Sequence, residues 1–250
     1  MTSKVRIGCR GVTKRFGDRA VLDGLDLDIH AGKTLVVLGH SGTGKSVLLK
    51  HLNGLIAPDA GSIVVNGTDI ARLGESDLLE IRRNIGMLFQ GGALFDSLTI
   101  GENIRFPLDQ HHVGDDEERR RRASELLETV GLPGTEDRMP DELSGGMRKR
   151  AALARALALR PDCMLYDEPT TGLDPVTAAQ INVLIRDMQR RFRLTSVVVT
   201  HDIASATYLA DRMAFLYHGK ILAVGSVEEM NASENPTIRE FLSAQAARRV

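Results

Sequence analysis

No run of the sequence approaches the ~20 uncharged apolar residues that a membrane span requires, and Met1-Thr2-Ser3-Lys4 lacks the apolar stretch of a signal peptide. The expectation is a soluble, cytosolic protein that meets a membrane only through a partner. Charge of one sign is also lacking, since 32 basic residues stand against 33 acidic ones for a net charge of −1. No global field therefore draws the chain to nucleic acid or anionic lipid. Only two cysteines occur, Cys9 and Cys163, in apolar strand-like segments without metal-ligand or disulfide spacing. They read as buried, inert core residues. Tandem repeats and low-complexity linkers are absent, so nothing divides the chain into independent domains. A length of 250 residues suffices for one large α/β domain with a full core.

Short β-branched runs recur at Leu35 to Leu38, Ile63 to Val65, Ile85 to Phe89, Cys163 to Tyr166, Ser196 to Thr200 and Met213 to Tyr217. Continuous apolar runs of this kind suit strands covered on both faces. Helix-like segments at Gly44 to Asn53 and Pro175 to Arg191 alternate with them, which predicts a largely parallel sheet. The residues up to His30 read instead as antiparallel strands, as does the late pair around His218-Gly219. From about Ser97 to Arg160 the texture turns helical. Its charged run sets Asp116 against Arg120, Glu117 against Arg121 and Glu118 against Arg122 at the i,i+4 spacing of a solvated helix face. In the tail from Pro236, Ile238, Phe241 and Leu242 share one helical face, which docks on its own domain or on a partner subunit.

The octapeptide Gly39-His40-Ser41-Gly42-Thr43-Gly44-Lys45-Ser46 follows an apolar strand and opens a helix, the Walker A pattern in its required context. Its glycines let the backbone wrap phosphates, Lys45 reaches the outer phosphate oxygens, and the Ser46 hydroxyl can ligate Mg²⁺. Leu165-Tyr166-Asp167-Glu168 ends another strand in two carboxylates, a costly place for charge unless a cation or a reaction uses it. Asp167 fits the metal, and Glu168 a group that orients or deprotonates the attacking water. Gln90 ends the strand Ile85 to Phe89, where its amide can reach both metal and water. His201 ends Val197 to Thr200 at the edge where doubly wound sheets keep ligands, and is expected to bond the γ-phosphate. Phe16, in a turn, can stack on adenine or pack in that turn.

Leu143-Ser144-Gly145-Gly146-Met147 precedes the helix-forming run Arg148 to Ala158. Backbone N–H groups and a positive helix end make this a second anion site. One phosphate loop already serves the chain, so this site is expected to complete the nucleotide of a neighbouring copy.

With these pieces in order, the chain resembles the nucleotide-binding subunits of ATP-binding cassette (ABC) transporters across essentially its whole length. The resemblance makes Phe16 the adenine-stacking aromatic, Gly39 to Ser46 the Walker A, and Gln90 the Q-loop glutamine. It makes Ser144, Gly145 and Gly146 the signature, Asp167 and Glu168 the Walker B end, Gly172-Leu173-Asp174 the D-loop, and His201 the switch histidine. It implies an α/β P-loop fold: a RecA-like mixed-sheet core at about 1–90 and 161–225, an antiparallel β subdomain, an inserted helical subdomain at about 91–160, and a helical tail at about 226–250. It further implies ATP and Mg²⁺, with Ser46, Gln90 and Asp167 as metal ligands, and a dimer of two copies around two ATP molecules.

One position departs from the family pattern, because Met147 stands where the signature usually ends in glutamine and a thioether cannot replace an amide's hydrogen bonds. With Leu143 to Arg150, the stretches Gly92 to Thr99 and Glu102-Asn103 to Pro107-Leu108 are similar to the Mla-type branch. That branch implies phospholipid transport between two membranes, with a permease, an MCE-type lipid-binding protein and small accessory subunits, at the cytoplasmic face of the inner membrane. Nucleic acid is not an implied partner. Phe95, Leu98, Phe106 and Leu108 either receive a coupling helix of the permease or pack in the core. The alternatives are an importer of amino acids or other small solutes, or a soluble ABC ATPase of iron-sulfur assembly.

Overall fold

The structure is a computed structural model that describes residues 4–246. Residues 1–3 of the opening tetrapeptide and 247–250 of the expected tail lie outside the described residues. In chain order the elements begin β1 (Val5–Phe16), β2 (Arg19–His30), β3 (Thr34–Leu38), α1 (Lys45–Leu52), β4 (Ala60–Val65), β5 (Thr68–Asp69), α2 (Glu75–Arg83) and β6 (Ile85–Leu88). Helices α3 (Ile100–Gln110), α4 (Asp116–Thr129) and α5 (Gly145–Leu157) follow, then β7 (Cys163–Asp167), α6 (Pro175–Phe192), β8 (Thr195–Thr200) and α7 (Ile203–Leu209). The chain ends in β9 (Arg212–Tyr217), β10 (Lys220–Gly225), α8 (Val227–Asn231) and α9 (Pro236–Ala246).

Two sheets form. The larger runs β10-β9-β3-β8-β7-β6, parallel except for the β9/β10 hairpin, and the smaller runs β2-β1-β4-β5, all antiparallel. All five residues of β3 and of β7 are buried, as are all six of β8, which is why these strands read as unbroken apolar runs. Successive side chains of β3 serve opposite faces. Val36 and Leu38 join a cluster with α3 to α7 and α9, whereas Leu35 and Val37 join one with α1 and the antiparallel sheet.

Ile63 to Val65 departs from its sequence reading. It belongs to β4 in the antiparallel sheet and alternates buried and half-buried, so a three-residue apolar run did not mark a strand covered on both faces. Helix α2 was not foreseen, because only Leu78 of its nine residues is buried. In α4, Arg120 pairs with Asp116 at 2.8 Å as expected, but Arg121 turns to Glu125, also at 2.8 Å, rather than back to Glu117. Tail residues Ile238 and Phe241 are buried in the core of their own chain. Cys9 and Cys163 are free and buried, and burial pushes each thiol up to about 12.

Candidate nucleotide-hydrolysis site

Strands β3, β8 and β7 are adjacent and parallel, with Leu38 opposite Thr200 and Asp167 opposite Val199. Their carboxyl ends therefore lie level, and the residues that follow them, Gly39, His201 and Glu168, come out along one edge. Gly39 is demanded by close approach: a Cβ there would fall 2.5 Å from the Leu216 carbonyl oxygen and 2.9 Å from Thr43 Oγ1. Gly44 takes φ +100°, where a Cβ would also meet the Val21 carbonyl oxygen at 2.9 Å. Between them the loop turns into α1.

Lys45 is buried in this loop. Its Nζ donates to the carbonyls of Gly39 at 2.8 Å and His40 at 3.0 Å, and it stands 3.5 Å from Glu168 Oε1. Burial lowers its pKa, and the Glu168 carboxylate partly offsets that. The His40 carbonyl also accepts from the Thr43 amide at 3.4 Å and from Thr43 Oγ1 at 2.9 Å.

Glu168 holds the centre of the edge. Its Oε2 accepts from Thr171 Oγ1 at 3.2 Å and faces His201 Nδ1 at 2.9 Å, while its amide donates to the Val199 carbonyl at 3.0 Å. Its backbone is in the left-handed region at φ +46°, a strained position for a side-chain-bearing residue and a frequent one at reactive sites. One residue earlier, Asp167 Oδ1 accepts from Ser46 Oγ at 2.8 Å. Burial raises the Asp167 carboxyl above its usual range, and the Ser46 hydrogen bond only partly counters it.

Other expected residues are placed less closely. Gln90 is exposed just after β6, and its backbone carbonyl accepts a short hydrogen bond from Lys149 Nζ. Lys149 is a residue whose place the sequence reading missed. It lies on α5, buried, with its pKa lowered by that burial and pulled back up by Asp167 and Glu168. In the sequence it was one of three adjacent basic residues, and only packing singles it out. Phe16 is 49% exposed with Lys14 Nζ 5.7 Å from its ring centroid. It is not among the residues lining the cavity of about 500 Å³ beside the phosphate loop, to which Arg19, Val21, His40, Tyr217 and His218 contribute.

Ser144 caps α5, its Oγ accepting from the Met147 amide at 3.3 Å. The amides of Gly145 and Gly146 fall in the first turn, where a helix offers no internal acceptor. Ser144 and Gly145 are exposed, while Gly146 sits against α6, where a Cβ would come 2.5 Å from Thr177 Cγ2. Asp174 caps α6, accepting from the Val176 and Thr177 amides at 3.0 Å each, and the Thr177 hydroxyl first and then these amides lower its pKa.

The four residues Phe95, Leu98, Phe106 and Leu108 divide. Leu108 is fully buried and Leu98 half-buried, whereas Phe95 and Phe106 are 43% and 37% exposed with ring centroids 4.7 Å apart. These two rings line a groove of about 460 Å³ with Met87, Phe89 and Pro107. Arg155 lies over Phe95 at 5.5 Å and donates to the Gly92 carbonyl at 3.1 Å, fixing the loop that carries the ring.

Comparison with known proteins agrees with this geometry. The family described as ABC transporter matches residues 22–171. A protein of Mycobacterium leprae named probable ribonucleotide transport ATP-binding protein mkl is 44% identical over 245 residues, or 98% of this chain and 71% of that protein. The intermembrane phospholipid transport system ATP-binding protein MlaF of Haemophilus influenzae is 40% identical over 240 residues, or 96% of this chain and 91% of that protein. Among solved structures, a dimeric post-hydrolysis state of the ATP-binding cassette MJ0796 bound to ADP and Pi superposes with a TM-score of 0.81 at 34% identity, covering 88% of this chain and 98% of that one.

Proposed function

The chain belongs to the ABC transporter family as one of its ATP-binding and ATP-hydrolysing subunits, and we propose that its hydrolysis drives the movement of phospholipid between two membranes. The observation that carries the hydrolytic reading is the chain of contacts from Lys45 through Glu168 to His201, at 3.5 and 2.9 Å. Lys45 exchanges the Gly39 and His40 carbonyls for outer phosphate oxygens as ATP enters. Glu168 orients and deprotonates the attacking water, and His201 holds the Glu168 carboxylate while donating to the γ-phosphate. Phe16 supplies the stacking surface for adenine.

Ser46 and Asp167 suit Mg²⁺, which is held by one or two protein oxygens together with phosphates and water rather than by an all-protein cage. Among the described residues no cluster of three or more His, Cys, Asp or Glu side chains could hold a metal alone. When bound, Mg²⁺ neutralises phosphate charge, and Gln90 lies at the strand end from which its amide can join these two ligands.

Family members pair as dimers and act with membrane permeases. In the reading proposed here, Ser144, Gly145 and Gly146 of one copy bind the γ-phosphate held by the Walker A loop of the other, with Asp174 at the same junction. The exposure of Ser144 and Gly145 and the helix-start amides support it. Residues 91–160 act as the helical subdomain of a core spanning about 1–90 and 161–225. The groove of Phe95 and Phe106 receives a short helix of the permease. None of the described helices is long and apolar enough to cross a membrane, so attachment at the cytoplasmic face of the inner membrane runs through that groove.

Phospholipid as the cargo rests on the MlaF relative, matched over 91% of its length, and on the Mla-like stretches around the signature and the groove. A second reading, ribonucleotide transport, rests on the name of the 44% identical mycobacterial protein. The chain reconstituted with its permease in vesicles separates the two. Labelled phospholipid moving between vesicle populations only with ATP supports the first, and ATP-dependent passage of a labelled ribonucleotide without lipid movement replaces it with the second.

A further inference from the structure

Helix α9 is tied to the phosphate loop through one aromatic ring. Phe241, 2% exposed, meets the Phe215 ring edge-on at 5.1 Å and the His40 imidazole edge-on at 4.9 Å. Phe215 lies opposite Leu38, the last residue of β3 before the loop. The C-terminal helix thus meets both β9, the strand paired with the one from which the loop leaves, and the loop's second residue.

His40 is a consequential residue to grip. Its carbonyl accepts from Lys45 Nζ, from the Thr43 amide and from Thr43 Oγ1, so its orientation sets where the lysine and the first turn of the loop lie. On its outer side His40, Ser41 and Gly42 are exposed, and besides the α9 ring the loop is held there by Arg19, whose Nη2 donates to the Gly42 carbonyl at 3.2 Å. Thr237 and Glu240 of α9 line, with His40 and Thr43, the cavity of about 500 Å³ beside the loop. A loop held in its binding conformation loses less freedom when a ligand arrives, and affinity rises accordingly.

We propose that Phe241 is a positioning residue for ATP: acting through His40, it holds the Gly39 to Ser46 loop in the form that receives the phosphates. The inference rests on the reading of that loop as the ATP site. It assigns to the C-terminal helix control of nucleotide affinity and leaves the chemical step alone, because the direct contacts of Phe241 lie with Phe215 and His40 rather than with Glu168 or His201.

The test uses the purified full-length chain, a fluorescent mant-ATP titration, steady-state phosphate release and urea unfolding. Phe241→Ala and Phe241→Leu are expected to raise the mant-ATP Kd and the KM for ATP on the order of threefold to tenfold, the worth of one edge-to-face ring contact, with kcat within about twofold of wild type. Phe241→Leu keeps most of the core volume, so its loss of affinity reports the ring rather than instability. Ile238→Ala empties a fully buried site on the same helix and is expected to lower the urea midpoint without moving the Kd. In a His40→Ala background, Phe241→Leu is expected to cause no further change. A wild-type Kd in Phe241→Leu, an equal rise in Ile238→Ala, or additive effects with His40→Ala each overturn the proposal. Lys45→Ala run alongside separates the two levels: if it too leaves mant-ATP binding unchanged, the ATP-site reading fails and this inference with it.

Discussion

His201 Nδ1 stands 2.9 Å from Glu168 Oε2, and the other oxygen of the same carboxylate faces Lys45 Nζ at 3.5 Å. One carboxylate thus joins the lysine that follows the Gly39 to Gly44 loop to the histidine that follows β8. Glu168 and His201, 33 positions apart, directly follow β7 and β8, and Lys45 opens α1 after the loop that leaves the adjacent β3. A carboxylate that touches both a buried ammonium and a ring nitrogen is suited to control a water between them.

Glu168→Gln keeps the shape of this junction and removes the carboxylate proposed as the base. Phosphate release is expected to fall on the order of a hundredfold or more while mant-ATP binding persists and a closed, nucleotide-holding dimer accumulates on gel filtration. Turnover near the wild-type rate would remove Glu168 from the reaction.

Lys45→Ala deletes a buried cation held by two loop carbonyls and takes from Glu168 its ion-pair partner at 3.5 Å. ATP affinity is expected to drop by at least about tenfold, read by mant-ATP titration, because a desolvated charge facing phosphate is worth more than an exposed one. Unaltered affinity would show that the phosphates bind elsewhere.

Ser144→Arg fills the exposed start of α5 with a large side chain. In mixed dimers that pair it with a wild-type copy, only the site opposite the altered serine is expected to lose hydrolysis, giving about half the wild-type rate if the sites act independently and less if they are coupled. Full activity at that opposite site contradicts the shared arrangement.

Asn103 is fully buried and ties the loop of Phe95 to α3. Its Nδ2 donates to the carbonyls of Phe95, Leu98 and Thr99 at 3.0 to 3.1 Å, and its Oδ1 accepts from the Phe95 amide at 2.8 Å. Asn103→Ala takes these partners from the Phe95 amide and the Leu98 carbonyl, whereas the Phe95 and Thr99 carbonyls keep the Leu98 and Asn103 amides, and it is expected to cost about 2–4 kcal/mol by urea unfolding. Loss of permease binding in pull-downs of still-folded protein should accompany it, since Phe95 loses its anchor. Intact stability and intact permease binding would together show that the loop is held without it.

His51 is fully buried in α1, with Nδ1 at 2.7 Å from the Val47 carbonyl and Nε2 buried without a partner among the described residues. Burial lowers its pKa, so the folded chain resists a proton that the unfolded chain takes up below about pH 6.5. Its contribution to stability is present above that value and is lost as pH falls towards the lower folded pKa. Urea midpoints measured between about pH 7.5 and 5 should decline less in His51→Leu than in wild type. Parallel declines would show that other groups govern the acid limb.

Much of the site was legible before any fold was known, because its signals are local. A glycine-rich loop between an apolar strand and a helix, two carboxylates at a strand end, and a serine before two glycines each state their chemistry within eight residues. The alternating segments likewise pointed to the mixed sheet, and β3, β7 and β8 emerged near their expected bounds because all their residues are buried. Weakly buried pieces were harder: α2 shows one buried residue, and the run in β4 looked like a core strand while pairing in the other sheet.

What the sequence by itself determined is which chemical groups the protein carries and the local backbone that presents them. Tertiary structure alone decided which of them meet. The level ends of β3, β8 and β7 bring Lys45, Glu168 and His201 together, packing sends Lys149 to the Gln90 carbonyl, and the return of α9 sets Phe241 against His40. These pairs lie far apart along the chain, and their distances follow from strand register and helix packing, which no single segment encodes.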